Sequence, residues 1–272
     1  MAQQDLEILR HSAAHLIAAA VENLYPGVKF GVGPAVENGF YYDIDFPKNI
    51  SEEDLQKIEA KAKELIKANL KYERKELPIE EAIKLFADRG QVYKVELLND
   101  LKNKGTTKLN SEELQDVGET VDMVSLYQTG EFVDLCRGPH VRYTSEIKPS
   151  GLKLMRLAGA YWRGKNENPQ LTRIYGVYFS SKEDLENYLH LLEEAEKRDH
   201  RKIGAEQDLF FFDETVGRGL VMWLPNGTII RNEVEKLAEE KEKQAGYVRV
   251  RTPHLAKEEM YLKSGHLPYY KD

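Results

Sequence analysis

Apolar residues recur at helical spacing in three stretches of the chain. The first covers residues 5–24, where Leu, Ile, Val and Ala form one stripe that predicts an amphipathic helix. The second begins at Ser51, which is followed by three acidic residues as at a capped helix start, and predicts a surface helix to about residue 68. The third lies between Pro78 and Gly90, residue types that commonly start and stop a helix.

Short apolar runs bounded by turn residues predict strands between and after these helices. Polar residues 102–118 interrupt the runs and predict an exposed connection. Helices at both ends of residues 1–180, with several short strands between them, predict an α+β domain. The predicted strands cover residues 28–32, 40–44, 92–98, 120–127, 131–135 and 172–179.

A charged helix marks a change of composition after residue 180. It begins at Ser181 and ends in a highly charged stretch before Gly204, which is typical of a linker between domains. The pattern beyond it is new and predicts the start of a second domain over residues 205–272. This part contains apolar runs at 209–212 and 219–225, an amphipathic helix at 228–244 and a strand at 247–251.

The composition is that of a globular protein with enough apolar residues for hydrophobic cores. Of the 272 residues, 41% are hydrophobic. No apolar run approaches the roughly 18 residues of a membrane span, and the first residues lack the basic start of a signal peptide. The single cysteine excludes an internal disulfide. We therefore expect a soluble, cytoplasmic protein with no membrane partner.

The charge is unevenly distributed along the chain. The formal net charge of -7 argues against nucleic acid as a partner. Residues 137–173, however, contain eight Lys or Arg and only two Glu, a local charge of +6. This stretch suits a phosphate backbone, because the local field matters more than the total charge. An ordinary solvated face is the alternative interpretation.

Two residue pairs with the same spacing carry the candidate chemistry. His11 and His15 lie four apart in the first predicted helix, roughly opposite its apolar stripe, so we expect them to line a cleft. Cys136 and His140 are also four apart, in a segment whose Gly-Pro dipeptide excludes a continuous helix. Three imidazoles and a sulfur that converge suit a tetrahedral metal such as zinc, or a site that polarises water. A histidine pair on a helix is also common as a purely structural feature.

Five short motifs stand out along the chain. They are HSAAH at residues 11–15, NGFYYD at 38–43, DLCRGPH at 134–140, AGAYWRG at 158–164 and KRDHRK at 197–202. As a set they closely resemble bacterial threonyl-tRNA synthetases, and the resemblance covers nearly the whole chain.

The resemblance implies a domain order. Residues 1–180 would be the editing domain shared with alanyl-tRNA synthetases, 181–204 a linker helix, and 205–272 the truncated start of a class II antiparallel-sheet catalytic domain. Residues 219–253 resemble motif 1, which implies a homodimer of the full-length enzyme. The usual small N-terminal domain and motifs 2 and 3, which hold ATP, Mg²⁺ and a second Zn²⁺ in the family, have no counterpart here. We therefore expect a fragment of a longer enzyme.

The resemblance also assigns roles in the hydrolysis of an aminoacyl ester. Such a reaction needs an activated water, a group for the substrate amine and a group for the terminal adenosine. The family implies that His11 and Cys136 position waters, with His15 and His140 as their companions. It implies that Asp134 is the carboxylate for the amino group. The three histidines and the cysteine are also the candidate Zn²⁺ ligands, although we expect weak or absent zinc.

Four further residues gain roles only through the resemblance. Lys94 and Tyr42 would contact the substrate or its adenosine, with Lys94 also among the catalytic groups. Arg137 and Arg163 would contact tRNA. By pattern alone, Lys94 is a snorkelling lysine at a strand edge, and Tyr42 belongs to an aromatic cluster that packing explains.

The predicted function is the removal of serine wrongly attached to threonine tRNA. Threonine exceeds serine by one methyl group, which gives only about 1–3 kcal/mol of discrimination, so a second, hydrolytic site is required. The full-length enzyme would attach threonine to tRNA(Thr) using ATP. Two alternatives stay open. One is a freestanding deacylase for alanine tRNA, which shares both residue pairs but not the motif 1 resemblance, and the other is a structural zinc module that docks other proteins.

Overall fold

The computed structural model describes residues 3–106 and 122–267, and the chain divides into two compact units. Unit 1 is Met1–Leu191 and unit 2 is Leu192–Asp272. The connection predicted at residues 102–118 lies outside the described residues from position 107 onward. Within the described ranges, no helix combines the length and the hydropathy that crossing a membrane requires.

Unit 1 consists of helices packed on two antiparallel sheets. Its elements, in chain order, are α1 (Gln3–Leu24), β1 (Lys29–Phe30), β2 (Ala35–Val36), β3 (Gly39–Asp45), α2 (Glu52–Lys67), β4 (Tyr72–Pro78), α3 (Ile79–Asp88), α4 (Val92–Lys104), β5 (Met123–Thr129), β6 (Phe132–Leu135), β7 (Leu152–Tyr161), β8 (Gln170–Tyr178) and α5 (Lys182–Lys197), which continues into unit 2. The first sheet has the order β1-β3-β8-β7, with β2 also paired to β3, and the second has the order β4-β5-β6. Helices and antiparallel sheets in one unit confirm the predicted mixed architecture.

Helix α1 lies at the centre of unit 1. All of residues 9–21 are buried except His11, which is half-buried. One side of α1 packs with α2 on the first sheet, and β5 and β6 of the second sheet contact it as well. The prediction that the histidine face lines an open cleft therefore needs correction, because His15 and the alanines beside it are covered. Only His11 keeps access to solvent.

A second, smaller core lies between the second sheet and helices α3 and α4. Phe86 of α3, Leu98 of α4 and Leu126 of β5 are buried against one another there. The three helices predicted from apolar stripes are confirmed as α1, α2 and α3. The two sheets and their helices thus hold α1 between them, which determines where its histidines lie.

Residues 92–98, predicted as a strand, form the first half of helix α4. Their Val and Tyr residues favour a strand locally, but packing on the neighbouring elements overrides that preference. The helix ends at Gly105, which has a positive φ of 67°. Lys94 therefore lies in a helix and not at a strand edge. The buried residues of α4 recur at helical spacing: Tyr93, Lys94, Leu97, Leu98 and Leu101.

Two edge strands, β4 and β7, show no clear apolar alternation in the sequence. Most of β4 after Tyr72 is exposed, and β7 carries Lys153 and Arg156 among its apolar positions. An edge strand pairs on one side only and is commonly polar, so the two-residue period is weak there. The sequence pattern consequently identifies the central strands better than these two.

Unit 2 contains one long helix and several short elements in its described residues. They are α6 (His200–Glu206), β9 (Phe210–Phe212), β10 (Val221–Trp223), α7 (Pro225–Gln244) and α8 (Glu258–Lys263), with β9 and β10 paired antiparallel. Residues 247–251, predicted as a strand, form no regular structure and have no strand partner among the described residues. A strand needs a neighbouring strand that satisfies its backbone N–H and C=O groups, and the sequence pattern of this segment identified no such neighbour.

The linker predicted as one helix at residues 181–204 is two helices. Helix α5 ends at Lys197, and Asp199 caps α6 by accepting a 2.8 Å hydrogen bond from the backbone N–H of Arg201. Gly204 lies inside α6 and not after it. A Cβ at this glycine would lie 2.5 Å from Cε1 of Phe210, so the close packing of that ring requires glycine.

Helix α7 exposes an apolar face, as its sequence predicts. Four large aliphatic side chains on it are 50–63% exposed, namely Ile229, Ile230, Val234 and Leu237. Apolar patches of this kind are uncommon on surfaces that face only water.

Candidate functional site

The two predicted residue pairs meet at one point in unit 1. Helix α1 supplies His11 and His15, and the loop after β6 supplies Cys136 and His140. One ring nitrogen or sulfur from each of the four lies within 4.8 Å of the others. The rings of His11 and His140 are 4.3 Å apart between centroids, as are those of His15 and His140. These four residues are called the His/Cys cluster below.

Cys136 is one of the points at which helix α1 and the loop after β6 touch. Its Sγ lies 3.5 Å from Nε2 of His11 and 3.3 Å from Nε2 of His140, and it accepts the backbone N–H of Gly138 at 3.2 Å. Burial raises the pKa of the thiol to about 12, and only part of that rise is offset by the Gly138 N–H. Cys136 is therefore a protonated thiol at neutral pH and not a thiolate nucleophile.

The three imidazoles of the cluster are neutral at physiological pH. Burial lowers the pKa of His11, of His15 and of His140, and neighbouring imidazoles lower the last two further. Each neutral ring has one nitrogen with a free lone pair. The cluster therefore presents three lone pairs and a thiol, a set that can orient a water or bind a metal.

The loop after β6 depends on Gly138. Its φ is 73°, in the left-handed region that favours glycine. A Cβ at this position would also lie 2.3 Å from the hydroxyl oxygen of Tyr127. Both constraints allow the chain to turn back so that His140 reaches the cluster. The Gly-Pro dipeptide thus explains the loop predicted at this place.

His140 is held by three neighbours. Its Nδ1 lies 3.1 Å from Oγ of Ser12, one of its faces stacks on Tyr72 at a centroid distance of 5.3 Å and an angle of 11°, and Tyr127 approaches edge-on. Sequence reasoning missed these residues. Ser12 lies inside the HSAAH motif, which is the only signal that could have found it. Tyr72 and Tyr127 lie in strands and show no such signal.

A buried polar network lies behind the cluster. Lys94 pairs with Asp134, whose carboxylate also accepts the hydroxyl of Tyr42 and lies 3.5 Å from Nε2 of His15. Nζ of Lys94 is 3.3 Å from the Tyr42 hydroxyl. Tyr42 is 0%, Asp134 2% and Lys94 3% exposed, and burial raises the pKa of Tyr42 well above its ordinary value. The structure thus brings all three predicted residues to the site, but engages them with one another.

Two cavities open against the cluster. Cys136 lines one of about 430 Å³, together with Arg137, Arg74 and the apolar side chains of Leu97 and Leu101. The second is about 370 Å³, and its lining includes His11, Glu7, Gly138 and Pro139. A small organic group attached to a larger molecule can therefore reach either His11 or Cys136 from solvent.

The basic stretch at residues 137–173 is divided by the fold. Arg137 lines the cavity beside Cys136. Arg163 instead forms ion pairs with Glu96 at 2.9 Å and Asp100 at 2.5 Å on helix α4, and its side chain is only 11% exposed. Arg173 pairs with Asp43 through two hydrogen bonds of 2.6 and 2.8 Å. Part of the local charge is thus neutralised within the protein, and Arg163 is not presented as a free cation.

The donor set of the His/Cys cluster fits zinc. Bonds of about 2.0–2.3 Å in a tetrahedral site imply nitrogen–sulfur separations of about 3.5 Å. The two separations at Cys136 are 3.5 and 3.3 Å. In addition, Nδ1 of His15 is buried and has no hydrogen-bond partner among the described residues. Zinc would lower the pKa of the thiol that burial has raised, because a coordinating thiol loses its proton.

The chain is similar over nearly its whole length to one group of enzymes. Residues 124–175 match the family "Threonyl and Alanyl tRNA synthetase second additional domain". The chain is 47% identical over 268 residues to a threonine–tRNA ligase of Dehalococcoides mccartyi, 50% over 267 residues to one of Anoxybacillus flavithermus, and 47% over 273 residues to one of a Sulfurihydrogenibium species. These alignments cover 98–99% of this chain and 39–42% of the relatives, so the chain spans about two fifths of their length. The resemblance that the five motifs suggest is confirmed.

Proposed function

We propose that this chain, related over 98% of its length to part of bacterial threonine–tRNA ligases, carries in unit 1 a site that hydrolyses serine from mischarged tRNA(Thr). The observation that carries the proposal is the convergence of three neutral imidazoles and a protonated thiol beside two solvent-accessible cavities. Such a set suits ester hydrolysis by a held water.

The water is the nucleophile in this proposal. The Cys136 thiol, whose pKa burial raises to about 12, is protonated and therefore a poor nucleophile toward an ester, and it borders a cavity where a water can be held. His11 is half-buried and lines the second cavity, and its lone pair can orient a water there. The water oxygen adds to the ester carbon, the bond to the ribose oxygen breaks, and that oxygen leaves with a proton. Free serine and intact tRNA result.

Asp134, Lys94 and Tyr42 hold the cluster from behind in this proposal. Because their polar atoms contact one another and are nearly inaccessible, they suit a positioning role toward His15 more than direct contact with substrate. Binding of the substrate amine by Asp134 would require Lys94 to move aside. The carboxylate and its neighbours thus fix the imidazole that lies deepest in the cluster.

The cavity beside Cys136 suits the terminal adenosine of the tRNA. Leu97 and Leu101 offer apolar surface to a base, and Arg137 offers positive charge to the adjoining phosphate. Arg137 is therefore the tRNA contact that we retain from the sequence prediction. Arg163, which is paired with helix α4, acts in fold stability instead.

A zinc-dependent reaction is the second candidate, favoured by the donor set of the cluster. His11, His15, Cys136 and His140 would hold the ion, which would supply a Lewis acid to the ester and lower the pKa of a bound water. Four protein ligands with no open position would instead indicate a structural zinc. We favour the held water because the two residues that reach the cavities, His11 and Cys136, can orient it directly.

The relatives extend the proposal to partners and place. They are threonine–tRNA ligases, so we propose tRNA(Thr) as partner and the cytoplasm as the place of action. Unit 2, with its exposed apolar helix face on α7, would contribute to the ligase part and to a homodimer of the longer enzyme.

The test is hydrolysis of seryl- and threonyl-tRNA(Thr) by the 272-residue chain, measured as the release of the labelled amino acid. We expect serine release, with the threonyl ester largely spared. His11→Ala and Cys136→Ala should each lower the rate by about 100-fold or more. His190→Ala, on the exposed face of α5, is the matched control and should keep the rate.

Two results would contradict the proposal. Wild-type rates in both cluster variants would place the chemistry elsewhere. Hydrolysis of serine or glycine from alanine tRNA, with tRNA(Thr) untouched, would instead identify an alanine-type deacylase.

A further inference from the structure

The hydroxyl of Ser12 makes three contacts inside unit 1. It donates to the carbonyl of Ile8 at 2.8 Å, accepts the backbone N–H of Val141 at 3.0 Å and lies 3.1 Å from Nδ1 of His140. Ser12 is fully buried, so solvent does not compete for these positions. The serine thereby joins helix α1 to the loop that carries His140.

These contacts determine which nitrogen of His140 carries hydrogen. A serine hydroxyl has one hydrogen and two lone pairs. The carbonyl of Ile8 can only accept and makes the shorter contact, 2.8 Å against 3.1 Å for Nδ1, so the hydrogen is assigned to it. The N–H of Val141 takes one lone pair. Only the second lone pair is left for His140, so Nδ1 must be the donor in that contact.

The lone pair of His140 then lies on Nε2, which is 3.3 Å from Sγ of Cys136. Stacking on Tyr72 opposes rotation of the ring, and the Tyr72 hydroxyl donates to the carbonyl of Ser12 at 2.8 Å. The ring and the serine are thus held by the same tyrosine. Nε2 faces the sulfur as an acceptor for the thiol hydrogen, or as a ligand where a metal is bound.

We propose that Ser12 is a positioning residue that sets the tautomer of His140 and so keeps the Nε2 lone pair directed at Cys136. The opposite tautomer would place an N–H against Sγ and remove one acceptor of the thiol hydrogen. The catalytic meaning of this device rests on the hydrolysis proposed above. The tautomer itself is a property of the protein and can be measured without substrate.

Ser12→Ala removes the hydroxyl, and Thr144→Val is its matched control. Thr144 is also fully buried, and its hydroxyl likewise accepts a backbone N–H, from Leu70 at 2.9 Å, and donates to a carbonyl, of Leu65 at 2.8 Å. It contacts no imidazole in these hydrogen bonds. Both variants lose the same kind of backbone support, so a difference between them reports the contact with His140.

The first measurement is nitrogen NMR of ¹⁵N-histidine-labelled full-length chain, treated with chelator so that no metal occupies Nε2. The His140 signals are identified by their loss in His140→Gln. We expect a pyrrole-type Nδ1 and a pyridine-type Nε2 in the wild-type chain and in Thr144→Val. In Ser12→Ala the two signals should move toward each other, as they do when both tautomers are populated.

The second measurement is seryl-tRNA(Thr) hydrolysis by the same proteins. Loss of an orienting partner typically lowers activity by about 10- to 100-fold, and we expect this in kcat for Ser12→Ala at nearly unchanged KM. Thr144→Val should keep both values. A pyridine-type Nδ1 in the wild-type chain, or unchanged signals and kcat in Ser12→Ala, would overturn the proposal. A wild-type chain without hydrolysis would refute the proposed function, while the NMR result would still decide the role of Ser12.

Discussion

Replacing Lys94 with Met isolates a buried negative charge. Lys94 and Asp134 are 3% and 2% exposed and form an ion pair behind the His/Cys cluster. Met preserves most of the unbranched stem but removes the charge. The groups that then contact the Asp134 carboxylate are Tyr42 and His15. Neither offers a positive charge, because a phenol has no cationic form and burial lowers the pKa of His15.

The size of the effect follows from burial. Removing one partner of a buried ion pair typically lowers the free energy of unfolding by about 3–5 kcal/mol, whereas an exposed pair contributes about 0–1 kcal/mol. We therefore expect a loss of about 3–5 kcal/mol for Lys94→Met. The double variant Lys94→Met/Asp134→Asn should recover about 2 kcal/mol or more of that loss, because it leaves no isolated charge.

Tryptophan fluorescence during urea unfolding can report unit 1 alone. The chain has two tryptophans. Trp162 is buried in unit 1, with its ring 4.8 Å from that of Tyr93 beside Lys94 on helix α4, and Trp223 lies in unit 2. A Trp223→Phe background therefore leaves a single reporter for the domain that carries the ion pair.

Lys182→Met is the matched control for the charge. Lys182 pairs with Glu186 on α5 at 3.1 Å, and the two side chains are 71% and 61% exposed. Its replacement should change the free energy of unfolding by less than about 1 kcal/mol. If Lys94→Met were as mild as this control, the reasoning from a buried, isolated Asp134 would be refuted.

Three further predictions concern acidity, metal and salt. Burial lowers the pKa of His11, His15 and His140, so the unfolded chain binds more protons than the folded chain below the ordinary histidine pKa of about 6.5. The free energy of unfolding should therefore fall as the pH drops from 6 to 5, by at most about 1.4 kcal/mol per pH unit for each imidazole. Urea unfolding checks this, and His140→Asn should reduce the slope. Hydrolysis should survive treatment with a chelator. If the chelator abolished the activity, added Zn²⁺ restored it and elemental analysis found zinc in the active protein, the reaction would be assigned to the metal. Binding of tRNA(Thr) should weaken as the salt concentration rises. Arg137→Gln should reduce the slope of the logarithm of the binding constant against the logarithm of the salt concentration by about one. An unchanged slope would show that Arg137 does not contact the tRNA.

The sequence reveals the parts of the fold where one periodicity dominates. The stripes at residues 5–24 and 51–68 predict α1 and α2 correctly, because both helices bury apolar residues at 3.6-residue spacing. The strand predicted at residues 92–98 is wrong. Their Val and Tyr residues favour a strand, but the burial of Leu97 and Leu98 stabilises a helix there. Residues 247–251 give the wrong answer because a strand also needs a partner.

The residues of the candidate site could be predicted where their spacing places them on one face of a helix. His11 and His15 share one side of α1, and the glycine of the DLCRGPH motif indicates the loop that brings Cys136 to them. Lys94 was reachable only through family resemblance, since nothing local shows that a lysine will meet Asp134, 40 positions away along the chain. Ser12 could not be ranked at all, because its role depends on a loop more than 120 residues later.

The burial of α1 on several sides has a consequence for folding during synthesis. Cys136 and His140 follow their contacts His11 and Ser12 by 125 and 128 positions. At a synthesis rate of about 5–20 residues per second, roughly 6–26 s separate the translation of these segments. During that interval the nascent helix carries an almost uninterrupted run of residues destined for the interior, without the second sheet that covers it. We therefore expect α1, which supplies the histidines, to be the segment that most needs the ribosome surface or a chaperone to keep it from aggregating before the second sheet forms.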